Sequence, residues 1–292
     1  MSEKGPQGNT NHAQGAAPVH VAESGAGADL VVLLHGFSDN ADTWNKVAPT
    51  LAENARVLAV DLPGFGRSAP GTTPLFEGYV HVVVELVRRH RGPGTVALVG
   101  NSLGAVVALL VATEHPELVE RVVLADMPGL KKTPRLWRLA LSRPVECALT
   151  PVLRLAPTRA ARTGLGFFFG IAAAGLHPLD AVTRSAFTAS YADRSRLLGL
   201  FTTGRAVFAE LERTPVAGLV RDLTMASLLV WGRNDVLTPA RSARVLERSL
   251  HTEVAFIAHC SHCPQLDRPT EFLDTIRPFL QHIPQRTQRG EQ

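Results

Sequence analysis

The sequence predicts an α/β fold, a doubly wound and mostly parallel sheet with an inserted helical cap, and three observations predict it. Short apolar runs rich in β-branched residues recur at Val31–Leu34, Val57–Val60, Val96–Val99, Val122–Leu124, Leu228–Val230 and Val254–Ile257, mostly flanked by Gly, Pro or Asp. Continuous runs of this kind suit strands buried on both faces of a parallel sheet. Amphipathic helical patterns lie between most of them, as at Tyr79–His90, Leu103–Glu114 and Ala240–Leu250, and strand-helix alternation is the pattern of a doubly wound core. The alternation stops between Met127 and Asp222, where the chain reads as several helices with Pro134, Pro144 and Pro178 at or near their starts.

In chain order, Val19–Glu23 and the Gly25/Gly27 turn add an antiparallel edge strand ahead of the first parallel one. Residues 1–17 are rich in Gly, Ala, Gln and Asn and read as a disordered tail, 18–128 and 223–285 as the core, 129–222 as the cap, and 286–292 as a second tail. Because the strand pattern resumes at Met225, the helical segment is expected to cover one edge of the sheet. There it would wall a pocket over the carboxyl ends of the strands.

Composition narrows the function classes. The chain has 292 residues, 45% hydrophobic and 19% charged, enough for one large core with an added lobe. The formal net charge of +4 is small, and the arginines are scattered instead of gathered in a block, so no nucleic-acid partner is expected. Three cysteines, Cys147, Cys260 and Cys263, make no disulfide framework, and a cytoplasmic location is expected. The first residues lack the apolar core of a signal peptide, and the longest apolar stretch, Gly166–Leu176, is too short to span a bilayer; no membrane insertion is expected.

The run Val96–Val106 reads as a strand, a tight turn centred on Ser102, and a helix. A nucleophile on such a turn takes strained backbone angles, and Gly100 and Gly104 remove Cβ atoms that would collide as strand and helix close up. Ser102 then projects at a helix N-terminus, where free N–H groups favour developing negative charge. A hydroxyl is a weak nucleophile and needs a base held by an acid downstream. Asp235 follows the strand Leu228–Trp231 in the turn Gly232-Arg-Asn-Asp235, and His259 and His262 share the turn after Val254–Ile257. An imidazole held by a carboxylate there could take the Ser102 proton and pass it to the leaving group. Asp126, at the end of Val122–Ala125, is a rival for the orienting acid, while Asp61 reads as a carboxylate accepting N–H bonds in a Gly/Pro turn. The backbone N–H groups of Leu103 and Phe37, the latter in the His35-Gly36-Phe37 turn, are candidate oxyanion donors, with His35 a structural hydrogen-bonder beneath that loop. Four candidate ligands crowded into His259–Cys263 do not make the paired spacing of a zinc site, so no metal is expected.

With these blocks in view, the sequence resembles the cap-bearing serine hydrolases of the α/β-hydrolase superfamily, in the branch of esterases, lactonases and carbon–carbon bond hydrolases. The blocks are Leu33–Phe37, Asp61–Ser68, Gly100–Gly104, and Trp231–Asp235 with His262 near Pro264, and the likeness extends from Val19 to Leu280. The resemblance implies a triad of Ser102, Asp235 and His262, with Phe37 and Leu103 as oxyanion donors. It favours His262 over His259, and Asp235 over Asp126, which becomes a pocket-edge candidate. Two positions depart from the family pattern: Ser261 stands where Gly usually precedes the histidine, and Ala105 where Gly is frequent. A serine at position 102 argues against the dehalogenase and epoxide-hydrolase branches, whose nucleophile is a carboxylate.

Trp137, Phe168, Phe187 and Tyr191 are further candidates for the pocket wall, and the expected partner is a small to medium hydrophobic carbonyl compound: an ester, lactone, thioester or ring-cleavage ketone. No cofactor is expected, and the chain is expected to act as a monomer or homodimer. The alternatives on this scaffold are a non-hydrolytic acyltransferase, lyase or cyclase, and a ligand receptor without turnover.

Overall fold

The computed structural model describes residues 9–11, 18–71, 74–130, 135–174, 184, 187–189, 191, 193–244, 246 and 254–281, without the side chains of 9–11, 135–137 and 168–174. Among the described residues eight strands form one sheet: β1 (Asn9–Asn11), β2 (Val19–Ser24), β3 (Asp29–Leu34), β4 (Ala55–Val60), β5 (Val96–Asn101), β6 (Arg121–Ala125), β7 (Ala226–Gly232) and β8 (Val254–Ile257). Their spatial order is β1-β2-β4-β3-β5-β6-β7-β8, with β2 antiparallel to both its neighbours, β1 and β4, and every other pairing parallel. Within the segment expected as a tail, Asn9–Asn11 pairs with Val19–Val21, which corrects that expectation at these three positions. Pairing at a sheet edge uses only backbone groups, so a polar sequence carries no sign of it.

The uninterrupted apolar runs have a direct packing cause. Successive residues of a strand face opposite ways, and here both faces are covered. Leu30, Val32 and Leu34 of β3 enter one apolar core, while Val31 and Leu33 enter the other. The same division separates Val96 and Leu98 from Ala97 and Val99 in β5. The first core is closed by α2 (Leu75–His90) and α3 (Leu103–Glu114), and the second by α1 (Ala48–Leu51) and the C-terminal helix, which contributes Phe272, Leu273 and Ile276.

Between β6 and β7 the described residues form helices and no strand: α4 (Arg135–Ala140), α5 (Arg143–Leu155), α6 (Thr158–Ala174), α7 (Arg194–Arg213) and α8 (Val216–Arg221). Helix α7 fastens this helical segment to the core. Glu210 accepts the N–H groups of Leu75 and Phe76 at 2.7 and 2.8 Å, capping the otherwise unpaired first turn of α2. Arg196 donates to the carbonyls of Gly66 and Ser68 at 2.8 and 2.9 Å, and the Tyr191 hydroxyl donates to that of Ser38 at 3.0 Å. After β8 come the short α9 (Pro264–Asp267) and α10 (Pro269–Gln281). Of the helix expected over Ala240–Leu250, Ala240–Ser242 form a turn instead and Ala243, Arg244 and Leu246 are helical, while positions 245 and 247–250, and the expected helix starts at Pro134 and Pro178, fall outside the described residues. No helix among the described residues is long and apolar enough to cross a membrane.

Candidate active site

The chain crosses over at β3, with β4 on one side and β5 on the other, and the carboxyl ends of β3, β5, β6, β7 and β8 rise to one rim. Such a switch point leaves a crevice between the loops that depart to opposite sides. A cavity of about 610 Å3 occupies it and has Ser102 and His262 in its wall.

Ser102 stands between β5 and α3 at φ 52°, ψ −116°, a left-handed conformation that costs energy for any residue but Gly. The contacts that hold it there are local. Its N–H donates to the Ala125 carbonyl at 2.9 Å, and its carbonyl accepts from Ala105 and Val106 at 3.0 and 3.3 Å. A Cβ on Gly100 would stand 2.3 Å from the Gly104 carbonyl oxygen, and one on Gly104 would stand 2.1 Å from that of Leu34. Both glycines therefore permit the close approach of strand and helix that exposes the serine. The His35-Gly36-Phe37 loop backs directly onto it, since a Cβ on Gly36 would lie 3.3 Å from the Ser102 Cβ. His35 is fully buried beneath that loop: Nδ1 lies 2.7 Å from the Gly36 carbonyl and Nε2 accepts the Leu62 N–H at 3.0 Å. One donating and one accepting nitrogen define a neutral imidazole, and burial above all pushes its pKa down.

Asp235 and His262 meet across the loops after β7 and β8, with Nδ1 2.8 Å from Oδ2 and both side chains buried. Backbone bonds lace these loops together, Arg233 N–H to the Ile257 carbonyl at 3.0 Å and Asn234 N–H to that of Cys260 at 2.8 Å. The Asp235 carboxylate also accepts the N–H groups of Leu237 and Thr238 at 2.7 and 2.9 Å and the Thr238 hydroxyl. Burial pushes this carboxyl up, yet the His262 charge and these hydrogen bonds outweigh it and hold Asp235 below the usual carboxylate range. His259, the other histidine of the turn, is exposed. It takes the left-handed conformation at φ 52°, whereas Ser261 does not, so the missing glycine at 261 leaves the turn intact. Ala105 is wholly buried in the core.

Four residues whose part in the site the sequence did not disclose complete its framework. The Asn101 side chain donates to the His262 carbonyl at 2.9 Å, joining the end of β5 to the histidine loop. Gln265 donates to Asn101 and to Thr43 at 3.3 and 3.2 Å. Thr238 clasps Asp235 as described; an Asp followed three residues later by Thr and then Pro is a turn signal that could have pointed to it. Asp39, buried in the cavity wall near the Phe37 loop, has its carboxyl pushed up to about 7, chiefly by burial.

Other expected pocket residues lie elsewhere. Phe187 and Tyr191 pack against Leu197 in a separate cluster within the helical segment, because their apolar area is better buried among α5–α7 side chains than at an open wall. Asp126 does not line the cavity: it is fully buried, with Oδ1 accepting the Gly232 N–H at 2.9 Å. The side chains of Trp137 and Phe168 lie outside the described residues. The wall that is described is strongly apolar and includes Phe37, Met127, Leu149, Leu200, Phe201 and Phe208. Phe37 also stacks edge-on to Phe65 at 5.7 Å, which ties its loop to the core. Burial raises the Cys260 and Cys263 thiols well above the usual range, leaving neither available as a thiolate ligand or nucleophile.

The sequence profile described as the alpha/beta hydrolase family matches residues 31–275. The chain belongs to that family. It is a hydrolase, and its curated relatives include a pimeloyl-[acyl-carrier protein] methyl ester esterase of Nitrosomonas europaea, 29% identical over 88% of this chain and 97% of the relative. Another is a 2-hydroxy-6-oxo-6-(2'-aminophenyl)hexa-2,4-dienoic acid hydrolase of Metapseudomonas resinovorans, 26% identical over 91% of this chain and 88% of the relative. Among solved structures, the enol-lactonase from Burkholderia xenovorans LB400 superposes with a TM-score of 0.71 at 17% identity, covering 91% of this chain and 97% of that one. At that identity the likeness speaks for the fold alone.

Proposed function

We propose that the protein is a serine hydrolase in which Ser102 attacks a carbonyl carbon, His262 takes the hydroxyl proton, and Asp235 orients and stabilises the imidazole. The observation that carries this reading is the buried 2.8 Å Asp235–His262 contact in loops whose histidine shares one cavity wall with a serine in a left-handed turn. With Nδ1–H committed to Asp235, Nε2 is the nitrogen left to act as base. Attack places negative charge on the carbonyl oxygen. Leu103, the first residue of α3, has an N–H without an intrahelical acceptor by position, and the Phe37 N–H on the adjoining loop is the second donor. Collapse of the intermediate returns the proton to the leaving group, and water repeats the cycle on the acyl-enzyme.

The apolar cavity favours a small to medium hydrophobic carbonyl compound, and the names of the relatives, a methyl ester esterase and a hydrolase of a 2-hydroxy-6-oxo-dienoic acid, support that range. A fluorophosphonate probe is expected to label Ser102 in the wild type, and Ser102→Ala to lose both the label and about 10^6-fold in ester turnover. A folded wild type that takes no label contradicts the assignment.

A further inference from the structure

Asp126 is a buried ionisable group beside the site that this chemistry does not use. It follows β6 directly at φ 47°, its N–H donates to the Val230 carbonyl at 2.9 Å, and its Oδ1 accepts from Gly232. Its Oδ2 is sealed from solvent and receives no donor from the described residues, and the carboxyl it can hydrogen-bond to, once protonated, is that of Asp235. An oxygen of Asp126, an oxygen of Asp235 and a ring nitrogen of His262 all lie within 4.8 Å of one another, and all three side chains are buried.

The donors around the two carboxyls are unequal. Asp235 receives two backbone N–H groups, a hydroxyl and the imidazole N–H, whereas Asp126 receives one backbone N–H. Two carboxylates this close and this dry cannot both stay ionised, and the proton goes to the one with fewer donors. The same three groups have the spacing of a cation site, but the donors on Asp235 present hydrogens where a cation would need lone pairs.

We propose that Asp126 is a neutral carboxylic acid, a positioning residue that leaves Asp235 as the single negative charge behind His262. The inference rests on the triad reading, which gives that charge its purpose. A second anion would hold the imidazolium too firmly for it to pass its proton to the leaving group. Burial first, and then the Asp235 charge, push the Asp126 carboxyl well above the ordinary range. The titratable groups facing it are Asp235, His262, Cys260 and Cys263, and both thiols are held uncharged.

Asp126→Asn keeps an acceptor for Gly232 and replaces one neutral group with another. In the infrared difference spectrum between wild type and this variant at neutral pH, the band expected to vanish is the C=O stretch of a protonated carboxyl. The acidic limb of the pH–kcat/KM profile is expected to stay within about 0.2 unit of the wild type, since no charge is removed from the site. Loss of a carboxylate band instead, or an acidic limb moved down by about one unit as a real negative charge leaves the site, overturns the proposal. Should that variant not fold, Asp235→Asn gives a second reading, since removing the neighbouring charge is expected to make the protonated band titrate away at lower pH. An unmoved midpoint contradicts the coupling. Fluorophosphonate labelling separates the two ideas: a labelled Ser102 with an ionised Asp126 sinks the acid pair alone, while an unlabelled Ser102 sinks the triad whatever the infrared band shows.

Discussion

The rim of the sheet and the helices between β6 and β7 are built by different means. At the rim, backbone bonds lock each loop to its neighbour, and glycines stand where no side chain fits; a Cβ on Gly232 would lie 2.0 Å from the Ser261 carbonyl oxygen. Among those helices, α5 has no buried residue, and Leu139, Val152, Leu155 and Phe167 are exposed. The anchoring falls to α7 and α8, whose Val207, Leu211, Val216 and Val220 enter the main core, and to the bonds of Glu210, Arg196 and the Tyr191 hydroxyl. The difference teaches a division between the two regions: the rim is fixed by main-chain bonds and close glycine contacts, the inserted helices by side chains at one end, with α5 left lightly packed.

Substitutions at matched positions test that division. The largest effect falls on the rim chemistry, where Asp235→Asn is expected to lower kcat by about 10^4 while leaving the melting profile cooperative, because the imidazole loses the carboxylate that fixes its tautomer. A loss of tenfold or less in steady-state kinetics would break the contrast. Gly100→Ala forces a Cβ into the backbone of α3 and is expected to cost about 3 kcal/mol in urea unfolding. A smaller effect comes from His35. Its folded pKa lies below the unfolded value, so the stability it contributes is present above about pH 6.5 and falls as pH drops below that, with a slope of at most about 1.4 kcal/mol per unit. Unfolding midpoints measured between about pH 7 and 5.5 should show this slope in the wild type and a flatter one in His35→Gln. Smallest, and opposite in sign to Gly100→Ala, is Gly164→Ala in α6. A Cβ there meets nothing within 4 Å, and the gain in helix propensity is expected to add about 0.5–1 kcal/mol.

The parts of the molecule legible in the sequence are those whose signal is local. Val31–Leu34 and Val96–Val99 announce themselves because both faces of each strand are buried, and Ser102 because Gly100 and Gly104 must flank it for strand and helix to close. Asp235 and His262 are legible as a turn carboxylate and a turn imidazole after two strands. Asn101 and Gln265 are not, since their partners lie more than 160 residues away along the chain and the bonds exist only once the fold has formed. Phe187 and Tyr191 mislead for a related reason. An aromatic side chain declares that it will be buried, not against which surface, and here packing among the α5–α7 side chains wins over the cavity wall. Asp126 was legible as a residue of interest, but its lack of donors beside a well-supplied Asp235 is a property of three loops together.

The most direct test of the account is to trap the covalent intermediate: mix the protein with an activated ester of an apolar acid, quench within the first turnovers, and map the added acyl mass by peptide sequencing. The account predicts one acyl group on Ser102, absent from Ser102→Ala. Turnover proceeding with no adduct at Ser102, or with the acyl group on Cys263 or another side chain of the cavity, would contradict it.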